Sequence, residues 1–370
     1  MKYTKDFGRL GLPEYFKFGI ELEADNVKTK GNDSLYTGES ARYIEEINWH
    51  MATKKEESLV GKGGAELVSP ILKDTEKTWR DIADICKQIK KYPGHKGEKV
   101  EANEKCGLHV HFDAECLAKD PQKMKRFLRI YAESEELIYK MCNDKNDSMR
   151  KDAIHKKLKG LNLVSSLWRN GMAAPSSKKI LEKIEDGKLK VSYKKWGKFR
   201  SIAGKYKIDE RRYKGLNLTN IGNEKKNTIE FRMANGTLEP EVIKQNVFLY
   251  ASLINTAIQS VEDPEKYYNK MEKFLNTNVS EKEKAENFLE LIMENSEDRE
   301  IYLDRWESVK DNKVFQGNPQ RKFAEGRFKR EEFKEILERV PAYNVRKAYN
   351  NMKNAIQNTK EQGANIDYVR

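Results

Sequence analysis

Lys105-Cys106-Gly107-Leu108-His109-Val110-His111-Phe112-Asp113 is the stretch on which the fold turns. From Leu108 onward it alternates. Leu108, Val110 and Phe112 fall on one face of a strand, and His109, His111 and Asp113 on the other. The chain has five histidines, and two of them sit here, one residue apart. Imidazoles at i and i+2 of a strand point the same way, which suits a metal or phosphate site and is rare as core packing.

Four more stretches read as strands. Tyr15 to Glu23 alternates, with Ile20 and Leu22 on one face and Glu21 and Glu23 on the other. Gly63 to Pro70 is short and ends on proline, and Tyr213 to Leu218 and Thr228 to Met233 follow later. Between them lie helical patterns. One carries Trp79, Ile82, Ile85, Cys86 and Ile89 and stops at Pro93-Gly94. A second opens at Pro121 and carries Met124, Phe127, Leu128, Tyr131, Ile138 and Met141 on one stripe. A third opens at Pro240, with Ile243, Val247, Tyr250, Ile254 and Ile258 at helical spacing. The expected organisation is a main domain over 1–262, interrupted by a basic, irregular insertion at 150–211, and a charged helical C-terminal extension over 263–370. Ala285, Phe288, Leu289 and Ile292, and later Phe333, Ile336, Leu337 and Val340, form stripes in that extension.

Composition narrows the function. The 370 residues carry a net charge of +12, and 35% are charged, above the usual ~25%. Such a balance favours an anionic partner, although a lysine-rich solvated surface accounts for it equally well. The four cysteines include no Cys-x-x-Cys pair, which excludes a zinc ribbon and points to reduced thiols in a cytoplasmic protein. The N-terminus has no apolar signal region, and no run approaches the ~20 apolar residues of a membrane span. There is no Gly-x-x-x-x-Gly-Lys-Ser/Thr loop, so this is not a P-loop enzyme.

Five segments carry candidate chemistry. Glu21 and Glu23 put two carboxylates on one strand face, unfavourable unless a cation neutralises them, unless the face is simply an exposed edge. Glu66 is a lone acid between apolar neighbours, with Glu56 and Glu57 upstream. His109 and His111 come third. Arg211 and Arg212 precede a strand, where guanidinium groups can clamp phosphate oxygens or merely face solvent. Glu230 and Arg232 share a strand face, either as a structural ion pair or as a metal ligand beside a phosphate clamp. Oxygen-rich ligand sets select hard cations such as magnesium or manganese. A metal-plus-arginine site on a sheet is equipment for phosphoryl transfer.

The order of these segments resembles the amidoligases, within the carboxylate–amine ligase superfamily typified by glutamine synthetase and glutamate–cysteine ligase. The matching elements are Phe18-Gly19-Ile20-Glu21-Leu22-Glu23, Gly64-Ala65-Glu66-Leu67-Val68-Ser69-Pro70 and Cys106-Gly107-Leu108-His109-Val110-His111. Arg212-Tyr213-Lys214-Gly215-Leu216-Asn217-Leu218, and Glu230-Phe231-Arg232 followed by Gly236-Thr237-Leu238, complete the series over roughly residues 13 to 262. The resemblance implies an α+β fold: a curved antiparallel sheet of the glutamine synthetase catalytic type, with ATP and metals on its concave face and helices on the convex one. By that analogy Glu21, Glu23 and Glu66 look like metal ligands. His109 and Glu230 look like ligands of the metal that bridges the ATP phosphates. His111 looks like a nucleotide or phosphate contact, and Arg232, assisted by Arg212, would hold the γ-phosphate. The family usually carries Trp and then Asp-x-Ser before the Glu66 strand. Here Trp49 is followed by Glu56-Glu57-Ser58, and Glu56 stands in the aspartate's place.

The implied activity is an ATP-dependent, ADP-forming carboxylate–amine ligase that makes an amide bond through an acyl phosphate at a two-metal site, with Mg2+ or Mn2+. Its substrates would be a carboxylate and an amine, open to peptides and proteins, with 194–207 as candidate lid. Two alternatives stand beside it. One is a nucleic-acid-binding protein, on the strength of the charge, Lys194 to Arg200 and Arg321-Lys322-Phe323. The other is a metal-dependent hydrolase using His109, His111 and Asp113 around zinc or manganese.

Overall fold

The computed structural model describes residues 1–24, 26, 50–52, 65–91, 97–102, 106–143, 215–218, 220–221 and 227–309. Six strands form one antiparallel sheet: β1 (Phe18–Ala24), β2 (His50–Ala52), β3 (Ala65–Val68), β4 (Gly107–Asp113), β5 (Leu216–Asn217) and β6 (Thr228–Asn235). Their spatial order is β2-β3-β1-β4-β6-β5. β5 is a two-residue edge piece beside five longer strands, and the sheet is open rather than closed into a barrel.

Among the described residues seven helices accompany it: α1 (Glu76–Lys91), α2 (Glu115–Ala118), α3 (Pro121–Met141), α4 (Pro240–Glu262), α5 (Pro264–Leu275), α6 (Glu281–Ile292) and α7 (Ser296–Val309). Three of them start with an acidic residue followed by proline. Proline is pre-set for the first helical position and pushes the residue before it out of the helical region. Asp120 is extended and accepts from the backbone N–H of Gln122 at 2.8 Å. Asp263 caps α5 through Lys266 N, and Glu239 is extended ahead of α4. Ser280 caps α6 in the same way through Glu283 N.

The alternation of the strands sorts their side chains into two layers. Ile20, Leu22, Leu108, Val110, Phe112, Ile229 and Phe231 are buried on the face covered by α1, α3 and α4. Phe231 lies at the centre of that face. Its ring stacks on Tyr250 of α4 at 4.3 Å and meets Phe112 and Phe127 edge-on at 6.0 and 6.2 Å. Phe18 stacks on Trp79 of α1 at 5.7 Å. α4 is buried nearly all round, Lys244, Asn246, Ser252, Thr256 and Ser260 included, so its expected single stripe understates its place in the core. The helices after Asp263 share that core. Tyr302 donates to Gln245 O at 2.6 Å, Arg305 donates to Met141 O, and one apolar cluster runs from Tyr3 to Trp306.

The N-terminal segment is sewn in by buried charges. Asp74 accepts from Leu10 N, Leu12 N and the Trp79 indole N–H at 2.9, 3.0 and 2.9 Å. Lys244 donates to the carbonyls of Thr4 and Asp6, and Tyr3 N donates to Asp298 at 3.1 Å. Two features depart from the expectation. β2 was not anticipated; it pairs with β3 through His50↔Val68 and Ala52↔Glu66. β5 is confined to Leu216–Asn217, with Tyr213 and Lys214 outside the described residues. Cys86, Cys106, Cys116 and Cys142 are all unbridged. Among the described residues no helix is long and apolar enough to cross a membrane.

Phe231→Ala removes the ring that joins β6 to α3 and α4, and is expected to cost about 3–5 kcal/mol. Urea unfolding followed by tryptophan fluorescence reads this as a lowered midpoint; an unchanged midpoint would show that the aromatic stack contributes nothing.

Candidate metal centre

The side chains that alternate with the core residues converge on the opposite face of the sheet. Backbone register decides which of them meet. Glu21 of β1 sits opposite His109 of β4, Glu23 opposite Glu66 of β3, and His111 opposite Glu230 of β6. Between the pairs Leu108↔Ala234 and Val110↔Phe231 the register of β4 and β6 shifts, so His109 faces both Arg232 and Met233. Such a bulge re-aims side chains locally. Met233 stays with the core, its sulfur 3.7 Å from the Tyr131 hydroxyl, while Arg232 reaches His109 Nδ1 at 3.3 Å.

The contacts are close. Glu21 Oε2 lies 3.1 Å from His109 Nδ1, and Glu21 Oε1 lies 2.9 Å from His111 Nε2. Glu230 Oε1 is 3.7 Å from His109 Nδ1 and 3.9 Å from His111 Nε2, and accepts from Arg232 Nη1. The other Glu230 oxygen accepts from Asn217 Nδ2 at 2.5 Å. Glu23 accepts from Gly107 N at 2.5 Å and lies 3.9 Å from His109 Nε2. A Cβ at position 107 would stand 2.9 Å from His109 Nε2, so a glycine is what lets the imidazole occupy this space. Thr228 Oγ1 is 3.5 Å from His111 Nδ1.

Glu21, Glu23, Glu230, His109 and His111 are all buried, and Glu66 is half-buried. Burial pushes the Glu21 carboxyl up, but hydrogen bonds from the two imidazoles and their charge more than offset this and hold it well below the usual carboxylate range. Burial also opposes ionisation of Glu230, and the Arg232 guanidinium and both histidines bring it down. Arg232 is depressed by burial and raised further by Glu230 and the neighbouring acids. His109 Nδ1 can donate to Glu21 or accept from Arg232, but cannot do both.

The donor set fits divalent cations. One ligand atom each from Glu21, Glu66 and His109 lies within 4.8 Å of the other two, and the same holds for Glu21, His111 and Glu230. His111 Nε2 is buried 2.9 Å from Glu21 Oε1, a separation that two adjacent ligands of one small cation can share. Among the described residues four carboxylates meet one guanidinium on this face, and an excess of buried negative charge is disfavoured without counter-ions.

The structure therefore gathers Glu21, Glu66, His109, His111, Glu230 and Arg232, with Glu23 beside them. Glu23 belongs to neither triad, its carboxylate being turned to Gly107 N. His111, read from the sequence as a phosphate contact, stands in a potential ligand triad. Asp113 stands apart and accepts from Glu115 N at 3.0 Å at the start of α2. Glu56, Glu57, Arg211 and Arg212 lie outside the described residues, as do the 150–211 insertion with its candidate lid, Arg321 to Phe323 and the stripe from Phe333 to Val340. Sequence reasoning gave no role to Asn217 or Thr228; a lone amide between Leu216 and Leu218 was the available sign of an inward-facing polar group.

Residues 22–254, more than half of the chain, match a protein family described as a putative amidoligase enzyme. Among curated proteins the chain has no match.

Glu21 is ionised in the folded protein at pH values where an unfolded glutamate takes up a proton, so its stabilising contribution is present above pH ~4.5 and is lost as the pH falls below that. In metal-free protein, Glu21→Gln is expected to flatten the acid limb of the stability curve by up to about 1.4 kcal/mol per pH unit. Urea titrations between pH 3 and 6 measure it; parallel acid limbs for the two proteins would refute the assignment.

Proposed function

We propose, from the premise that this chain belongs to the amidoligase family, that it is an ATP-dependent ligase joining a carboxylate to an amine. The observation that carries this reading is the convergence of Glu21, Glu66, His109, His111 and Glu230, with Arg232 among them, on one face of an antiparallel sheet. Glu21, Glu66 and His109 would hold one Mg2+ or Mn2+, and Glu21, His111 and Glu230 a second. Bound there, the cations supply positive charge against the negative charge that develops on a transferring phosphoryl group.

In the reaction the substrate carboxylate attacks the γ-phosphorus of ATP. An O–P bond forms, ADP leaves, and an acyl phosphate results. The amine then attacks the acyl carbon, phosphate departs, and the amine nitrogen gives up a proton. The chain's own residues have defined tasks in this scheme. Arg232, half-buried beside the acids, is the guanidinium placed to meet phosphate oxygens. His109 and His111, fixed at i and i+2 on β4, hold their ring nitrogens toward the shared carboxylate Glu21. The apolar layer beneath keeps this face rigid, and burial of the cluster limits the water that would hydrolyse an acyl phosphate. Arg212 and Glu56 are proposed to complete the phosphate and metal contacts.

Purified protein with ATP and Mg2+ is expected to release ADP when an acid and an amine are both supplied, to stop on chelation, and to lose kcat by about 10²–10³-fold in Arg232→Ala. Coupled ADP detection and mass spectrometry of the product check this. AMP in place of ADP would overturn the acyl-phosphate route.

A further inference from the structure

We propose that Asn217 is a positioning residue of the metal centre: its amide ties down Oε2 of Glu230, so that Oε1 alone is presented to His109, His111 and Arg232. This deepens, and rests on, the reading of the cluster as a divalent-cation site.

Asn217 is buried on the edge strand β5, directly opposite Glu230 in the register. Its Nδ2 donates to Glu230 Oε2 at 2.5 Å, while Arg232 Nη1 donates to Oε1. A carboxylate next to a guanidinium tends to turn into a two-armed pair, with both oxygens on the arginine. That geometry would draw Glu230 away from the histidines and close Arg232 to any other anion. An amide on one oxygen blocks the turn. Because the amide is neutral, it fixes Glu230 without cancelling the charge that a cation needs.

β5 is itself held in place for this task. Gly215 O accepts from Arg232 N at 2.8 Å. A Cβ on residue 215 would overlap the Tyr139 hydroxyl and stand 2.9 Å from Met233 Cγ, so only glycine lets the strand come this close. Gly215 thus sets the backbone of Arg232, and Asn217, two residues on, sets the side chain of Glu230. Orienting partners of this kind act on a metal through its ligands.

Mn2+ binding to nucleotide-free protein, followed by electron paramagnetic resonance, tests the proposal. The proteins are the wild type, Asn217→Ala, the size-matched Asn217→Leu, Glu230→Gln, and Asn217→Ala combined with Glu230→Gln. Both Asn217 substitutions are expected to weaken Mn2+ binding about 10–100-fold. In the Glu230→Gln background Asn217→Ala should add no further loss, because the two act through one carboxylate. Unchanged affinity in the Asn217 variants, or an additive loss in the double variant, overturns the proposal. If Asn217→Ala does not fold, Asn217→Leu decides, since it keeps the volume of a buried site. A wild type that binds no Mn2+ would remove the cation reading itself and this role with it. A wild type that binds Mn2+ alongside Asn217 variants that bind it equally well overturns only the role of Asn217.

Discussion

Every part of this structure answers to one constraint: strands that bury an apolar face must gather whatever alternates with it on the other. Ile20 and Leu22 in the core oblige Glu21 and Glu23 to share the far side, and Val110 and Phe112 oblige His109 and His111 to join them. A slip of one residue between β1 and β4 would turn both sets over at once. Hydrophobic packing beneath and charge above are therefore locked to the same register. The aromatic cluster of Phe231, Tyr250, Phe112 and Phe127 opposes such a slip, and so it holds the acids together against their mutual repulsion.

That repulsion is answered locally before any ion arrives. Arg232 stands against Glu230, the two imidazoles stand against Glu21, and Gly107 N serves Glu23. Each partner is of a kind that a divalent cation can replace or that can turn to an incoming anion. The family to which the chain belongs and the donor set on the sheet point in the same direction, from independent observations.

Much of this was legible in the sequence because alternation is a local signal. The period of two named the faces of β1, β4 and β6, and proline marked the starts of α3 and α4. What escaped is non-local. β2 has three residues and is a strand only because β3 lies beside it. The register shift that aims Arg232 at His109 depends on how β4 and β6 pair, and neither strand shows it alone. Asn217 was in view between two leucines, yet its partner Glu230 is 13 residues further along, across a chain reversal. The burial of Lys244 on every side of α4 follows from the N-terminal segment folding over it, which no helical periodicity encodes.

The stitching of residues 3–6 has a consequence for the order in which the fold assembles. Tyr3 N finds its acceptor on Asp298, 295 residues downstream, and Thr4 and Asp6 depend on Lys244. Contacts of such long sequence separation carry the largest loop-closure cost, so the docking of this segment closes the core rather than starting it.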